Sequence, residues 1–312
     1  QTPPFQKWKN VLYYFITNDV CQNHLNREDL KFMRKGTFFS ALAFIGGAVG
    51  FGLRRWQLTA GFEPETGLPV PGAASAWLLV GWSVLLGAVI LLLCRQEKER
   101  MPWDRAFAGA GDKPLFLTAI VLSAFLLLVS AGAELMTLLG QGETAFANDA
   151  VGVQVALTVL PPLRIALCFG GFLCTLLWLR ALKRGEDKGK ESLALLELCF
   201  FFCVWLVSDY QARAVDPVVF DYVYEIFAIV FGLLGIYQIT GYSFQEGKPR
   251  RSVFFCLMGA YFALVTLADR HSLTETLRYG FLVLFLTAHA WMILNTQPAG
   301  KRLAKTEAEK NG

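Results

Sequence analysis

Long stretches without a single charged residue constrain this chain more than any other feature. Residues 36–53, 66–94, 114–133, 226–245, 252–268 and 279–300 contain no Asp, Glu, Lys or Arg. Residues 150–163 and 165–179 are divided only by Arg164, and residues 198–208 follow directly on Glu197. A bilayer core of roughly 30 Å takes about 20 mostly apolar residues as helix. One soluble core has no use for so many such segments. They also far exceed the strands of about 10 alternating residues that build membrane barrels. Backbone polar groups in lipid must be satisfied within the segment, which leaves the helix. The fold class read from the sequence is therefore all-α, a polytopic integral membrane bundle.

Eight spans are expected, near residues 36–58, 74–94, 114–139, 151–180, 192–211, 217–240, 252–269 and 273–295. Residues 1–35 form an N-terminal segment and residues 296–312 a tail. Helix punctuation supports the division. Asp112 with Pro114, and Asp216 with Pro217, read as a cap followed by a first-turn proline. Ser272 and Glu275 have the spacing of a capping box. The fourth span contains Pro161-Pro162 and, nine residues on, Gly170-Gly171. This pattern predicts a kinked or broken helix, either lining a cavity or bending for packing.

Composition agrees once it is partitioned. The chain is 54% hydrophobic and 17% charged, against about 45–50% and about 25% in soluble domains. The formal net charge of +4 conceals its distribution. Of the 29 Lys and Arg, 23 fall in residues 1–35, 95–113, 180–191, 245–251 and 296–312. These segments lie on one side if the chain crosses eight times. The opposite side carries only Arg54, Arg55, Arg213, Arg270 and Arg278, without a lysine. Positive charge accumulates on the cytoplasmic side, so both termini are expected there. Basic clusters that alternate between spans follow the membrane rule and argue against nucleic acid as a partner. Residues 5–17 interleave Lys7 and Lys9 with Trp8, Tyr13, Tyr14 and Phe15. They read either as an amphipathic helix on the inner leaflet or as a cytoplasmic helix against the bundle. No apolar h-region occurs in residues 1–35, so no cleavable signal peptide is expected there. None of the seven cysteines falls in an outer loop and no N-x-S/T sequon occurs. Short loops without sequons fit a bacterial inner membrane.

No P-loop, HExxH, GxSxG or strand-linked GxGxxG is present, and no cofactor or metal is implied by a motif. Chemistry or binding is therefore sought among the polar residues of the spans, which are costly in lipid. Four arginines (Arg54, Arg55, Arg164, Arg278) and four acids (Glu134, Asp209, Asp221, Glu225) fall in one layer near the outer face. Glu134, Arg164, Asp221, Glu225 and Arg278 are the candidate solute-binding residues. The two arginines suit an anionic group, and Glu134 or Glu225 a coupling proton. The same layer also reads as interhelical ion pairs that fix helix register. Near the inner face, Glu197 and His289 fall at matching depth and form a candidate proton-relay pair. Three functions stay open at this point: a permease or solute-binding protein for a small polar or charged solute, a structural or regulatory subunit docking a partner membrane protein, and a membrane enzyme acting on a lipid-linked substrate.

Overall fold

The computed structural model describes residues 36–63, 68–96, 100–140, 151–185, 190–212, 218–244 and 247–310. The expected amphipathic segment 5–17, the cap Asp216-Pro217 and the chain ends lie outside them. The long helices are α1 (Gly36–Ala60) and α2 (Ala74–Leu93), then α4 (Pro114–Gly140), α5 (Val151–Arg184), α6 (Lys190–Ala212), α7 (Val219–Thr240), α8 (Pro249–Thr266) and α9 (Leu273–Lys310). A single turn, α3 (Trp103–Ala106), lies in the connection between α2 and α4. Apart from one isolated bridge between Phe62 and Pro69, the described residues hold no strand pairing. Among the described residues, seven helices are long and apolar enough to cross a membrane: α1, α2, α4, α5, α6, α7 and α9.

The seventh of the eight expected spans, near 252–269, is α8, a helix of 18 residues that opens on Pro249, Arg250 and Arg251. Those residues lower its apolar content below that of the neighbouring segments Tyr222–Thr240 and Leu273–Asn295. It nevertheless crosses the bundle. The Phe262 ring lies 5.2 Å from that of Phe227 of α7 and the Phe255 ring 5.9 Å from that of Phe231, an order that makes the two helices antiparallel. Thirteen of its residues are buried, so protein rather than lipid surrounds it.

Contacts elsewhere follow the same alternation. Trp82 of α2 donates its indole N–H to the Gly46 carbonyl of α1 (3.0 Å). Lys113, at the start of α4, lies over the Trp291 ring near the end of the apolar part of α9 (5.3 Å). At the other extreme of that pair, Ser130 donates to the Thr274 carbonyl (3.0 Å). Gly36 opens α1 beside Asn295 of α9. Gly36, Lys113, Lys183, Arg250, Arg251 and Asn295 thus gather at one end, here the basic end. Arg54, Glu134, Arg164, Glu225, Asp269 and Arg278 gather at the other, the ionic end.

Lipid offers no hydrophobic drive between helices, so close backbone approach through small residues carries much of the packing. Gly46 faces Leu86 of α2, Gly47 faces Leu264 of α8, and Gly50 faces Val265 and Tyr261 of α8. Gly259 of α8 sits against the backbone of Gly232 and Phe231. The broken fourth span is not found. Pro161 and Pro162 lie inside one continuous helix, and Gly170 and Gly171 receive Glu197 and Leu198 of α6. The glycine pair admits a neighbour rather than ending the helix.

Candidate functional site

The ionic end holds two clusters joined by aromatic rings. In the first, Glu134 of α4 is shared by two guanidinium groups. Arg164 of α5 donates from Nε to Glu134 Oε1 (2.6 Å), and its Nη2 meets the same oxygen. Arg278 of α9 places Nη2 against Glu134 Oε2. Charge-assisted pairs of this kind are the strongest hydrogen bonds available to side chains. One carboxylate therefore ties three helices together. Asp209 and Glu275 also act on Arg164 through space. Arg278 is 1% exposed, and its guanidinium lies 5.8 Å from the Phe201 ring centre and 5.5 Å from that of Trp205, both on α6. Its buried Nε–H has no hydrogen-bond acceptor.

The second cluster surrounds the short connection between α8 and α9. Arg54 of α1, fully buried, donates from Nε to Asp269 Oδ1 (2.7 Å) and from Nη1 to Gln57 Oε1 (3.0 Å). The Tyr224 ring lies 5.2 Å beneath the same guanidinium. Thr266 donates to Asp269 Oδ2 (3.1 Å). His271 Nε2 lies 2.6 Å from the Thr266 carbonyl oxygen, while Nδ1 is 3.9 Å from Glu225 and 3.7 Å from Glu275. Ser272 and Glu275 form the expected capping box, with Ser272 N–H donating to Glu275 Oε2 (2.9 Å) and Glu275 N–H to Ser272 Oγ (3.3 Å). The cap holds Glu275 near His271.

Burial opposes charge on both connection residues. It raises the Asp269 pKa from its ordinary value despite Arg54. For His271, burial alone would lower the pKa, but Glu275, Glu225 and the Thr266 carbonyl outweigh it, and the net direction is upward. Tyr279 links the clusters, its ring 4.9 Å from that of His271 and 5.2 Å from that of Trp205, which faces Arg278.

Of the candidate solute-binding residues, Glu134, Arg164 and Arg278 are brought into direct contact. Glu225 belongs to the second cluster. Asp221 lies on α7, with its side chain outside the described residues. Arg55 turns to the Ala268 carbonyl (3.4 Å). The charges are mutually paired, and neither of two surface cavities lies among them. One, about 540 Å³, is lined by Tyr237, Gln238, Arg250 and Arg251 at the basic end. The other, about 430 Å³, is a largely apolar recess between Gln57 and the loop around Pro69–Gly72.

The Glu197–His289 pair does not form through the imidazole. Trp178 donates its indole N–H to His289 Nε2 (3.0 Å), and Nδ1 lies 2.7 Å from the Phe285 carbonyl. Both ring nitrogens are engaged, inside an aromatic shell that includes Phe107 and Phe116. Glu197 packs instead on Gly170 of α5.

Sequence reasoning missed Asp269, His271 and Glu275 as site members, because it placed them in a connection and at its edge. One signal was present: His271 and Glu275 are spaced i, i+4 and bracketed by the capping Ser272. The chain matches no family model, and comparisons with curated proteins and with solved structures find no match. The fold and the composition define a multi-span helical membrane protein.

Proposed function

We infer that this membrane protein is a permease or solute-binding protein whose solute carries an anionic group. The observation that carries the reading is Arg278, a buried guanidinium with a free Nε–H that shares one carboxylate with Arg164. Two guanidinium groups on one carboxylate make a site in which a solute anion competes with Glu134. Protonating Glu134 would release both arginines, so anion entry is coupled to proton uptake. The lysine-bearing connections support a cytoplasmic basic end and an outward ionic end, in the inner membrane of a bacterium.

The test is flux in proteoliposomes of a panel of small anions (monocarboxylates, dicarboxylates, phosphate and sulfate) under an imposed pH gradient. At least one anion should be carried. Arg278→Ala should lower its flux at least tenfold, and Glu134→Gln should remove the dependence on the gradient. Absence of flux and of binding for the whole panel, or unchanged flux in Arg278→Ala, overturns the reading.

A further inference from the structure

We propose that Glu225, Asp269 and His271 form a divalent-cation site of the zinc class where α1, α7, α8 and α9 meet. His271 carries the argument. Its Nε2 lies 2.6 Å from a backbone carbonyl, which only accepts, so Nε2 bears the hydrogen. In the neutral ring, Nδ1 is then a lone pair. The side chain is 3% exposed, and Nδ1 faces Glu225 Oε1 at 3.9 Å and Glu275 Oε2 at 3.7 Å, beyond hydrogen-bond reach of either. Acceptors converging at this spacing repel one another unless a positive charge stands between them.

The surroundings suit a metal ion. A ring N–H donated to a backbone carbonyl is the support that metal-binding histidines use, since it fixes the tautomer and the ring plane. The Tyr279 ring holds the other side of the imidazole. One ligand atom each from Glu225, Asp269 and His271 falls within 4.8 Å of the others. A small inward movement of the carboxylates would reach Zn–N and Zn–O lengths of about 2.0–2.2 Å. Arg54 and Thr266 each hold one oxygen of Asp269, and Ser272 holds Glu275, leaving lone pairs for an ion.

This site is independent of the anion reading, because ion binding is measured without solute or flux. The full chain in nanodiscs, freed of metal with a chelator, is titrated with Zn²⁺ by calorimetry and with Co²⁺ by visible absorption. One ion per chain is expected. His271→Ala and Glu225→Gln should each weaken binding at least about tenfold, while Asp112→Asn at the basic end leaves it unchanged. His271→Cys should bind Co²⁺ with a thiolate-to-cobalt charge-transfer band, which a misfolded variant would not produce. No stoichiometric ion in the wild type, or equal affinity in His271→Ala, overturns the site. An imidazole that titrates by NMR without any metal affinity would assign the position to a proton instead.

Discussion

Trp178 and His289 are locked together by one hydrogen bond, indole N–H to Nε2 at 3.0 Å, deep between α5 and α9. Because the indole only donates, Nε2 must accept, and Nδ1–H is left to donate to the Phe285 carbonyl. The imidazole is therefore neutral and structural. Trp178→Phe should strand Nε2 without a donor, at a cost of about 1–3 kcal/mol. Thermal unfolding in detergent measures this, and an unchanged midpoint would show that the bond contributes nothing.

Glu134 should be the most sensitive carboxylate in the bundle. Its removal leaves the buried Arg278 and the half-buried Arg164 without their shared partner. Breaking such a pair from one side costs about 3–5 kcal/mol. Glu134→Ala should destabilise by that order, and the double variant Glu134→Ala, Arg278→Met should recover a large part. A double-mutant cycle with additive costs would show that the two residues are not coupled.

Helix packing through glycine predicts a contrast. A Cβ on Gly259 would stand 2.8 Å from Leu286 Cδ1 and 3.1 Å from the Gly232 nitrogen, so Gly259→Ala must push α7 and α8 apart. Overpacking of this kind costs about 1–3 kcal/mol. Gly81 of α2 meets nothing within 4 Å. Gly81→Ala should be neutral, or stabilising by about 0.5–1 kcal/mol through helix propensity. Parallel unfolding of the two variants checks the difference.

The pH dependence follows from His271. Its pKa is raised in the folded state, relative to about 6.5 in an unfolded chain. A raised pKa means that the folded state holds the proton more tightly. The stabilisation is complete below about pH 6.5 and is lost as pH rises through the folded value. Burial pulls that value down, and Glu275 of α9, Glu225 of α7 and the Thr266 carbonyl together push it higher, in a cluster that also holds Asp269 and Arg54. In chelator-treated samples, stability should fall as pH rises above about 6.5, and His271→Gln should flatten this slope. An identical slope in the variant would remove His271 as the cause.

Orientation is checked by labelling. A cysteine placed at Gly72 should react with an impermeant maleimide in intact cells, and one at Asp112 only after lysis. Reaction at Asp112 from outside would invert the proposed topology.

Spans were legible because the penalty for charge in hydrocarbon acts residue by residue. Residues 74–93 and 114–133 declare themselves without reference to any neighbour. The position of α8 is also legible, since residues 252–268 are uncharged, although Arg250 and Arg251 open the helix. The capping box at Ser272 is local too, and it forms as its spacing predicts. Partner choice is another matter. Nothing in the spacing of Glu134, Arg164 and Arg278 states that one carboxylate serves both arginines, and nothing near His289 names Trp178, which is 111 positions away. Pro161-Pro162 suggested a kink or a break, and the helix runs unbroken through both.

The sequence by itself determined that this is a helical membrane protein, roughly where its spans lie, and that its costly polar residues concentrate toward one end. Tertiary structure alone decided which charges meet, that His289 is enclosed by aromatic rings, and that Asp269 and His271 of a short connection join Glu225 in a buried cluster. The division has one physical cause. Transfer of a residue into lipid is a property of that residue and its immediate neighbours, whereas an ion pair depends on the rotation and depth of two helices at once, which only the packed bundle sets.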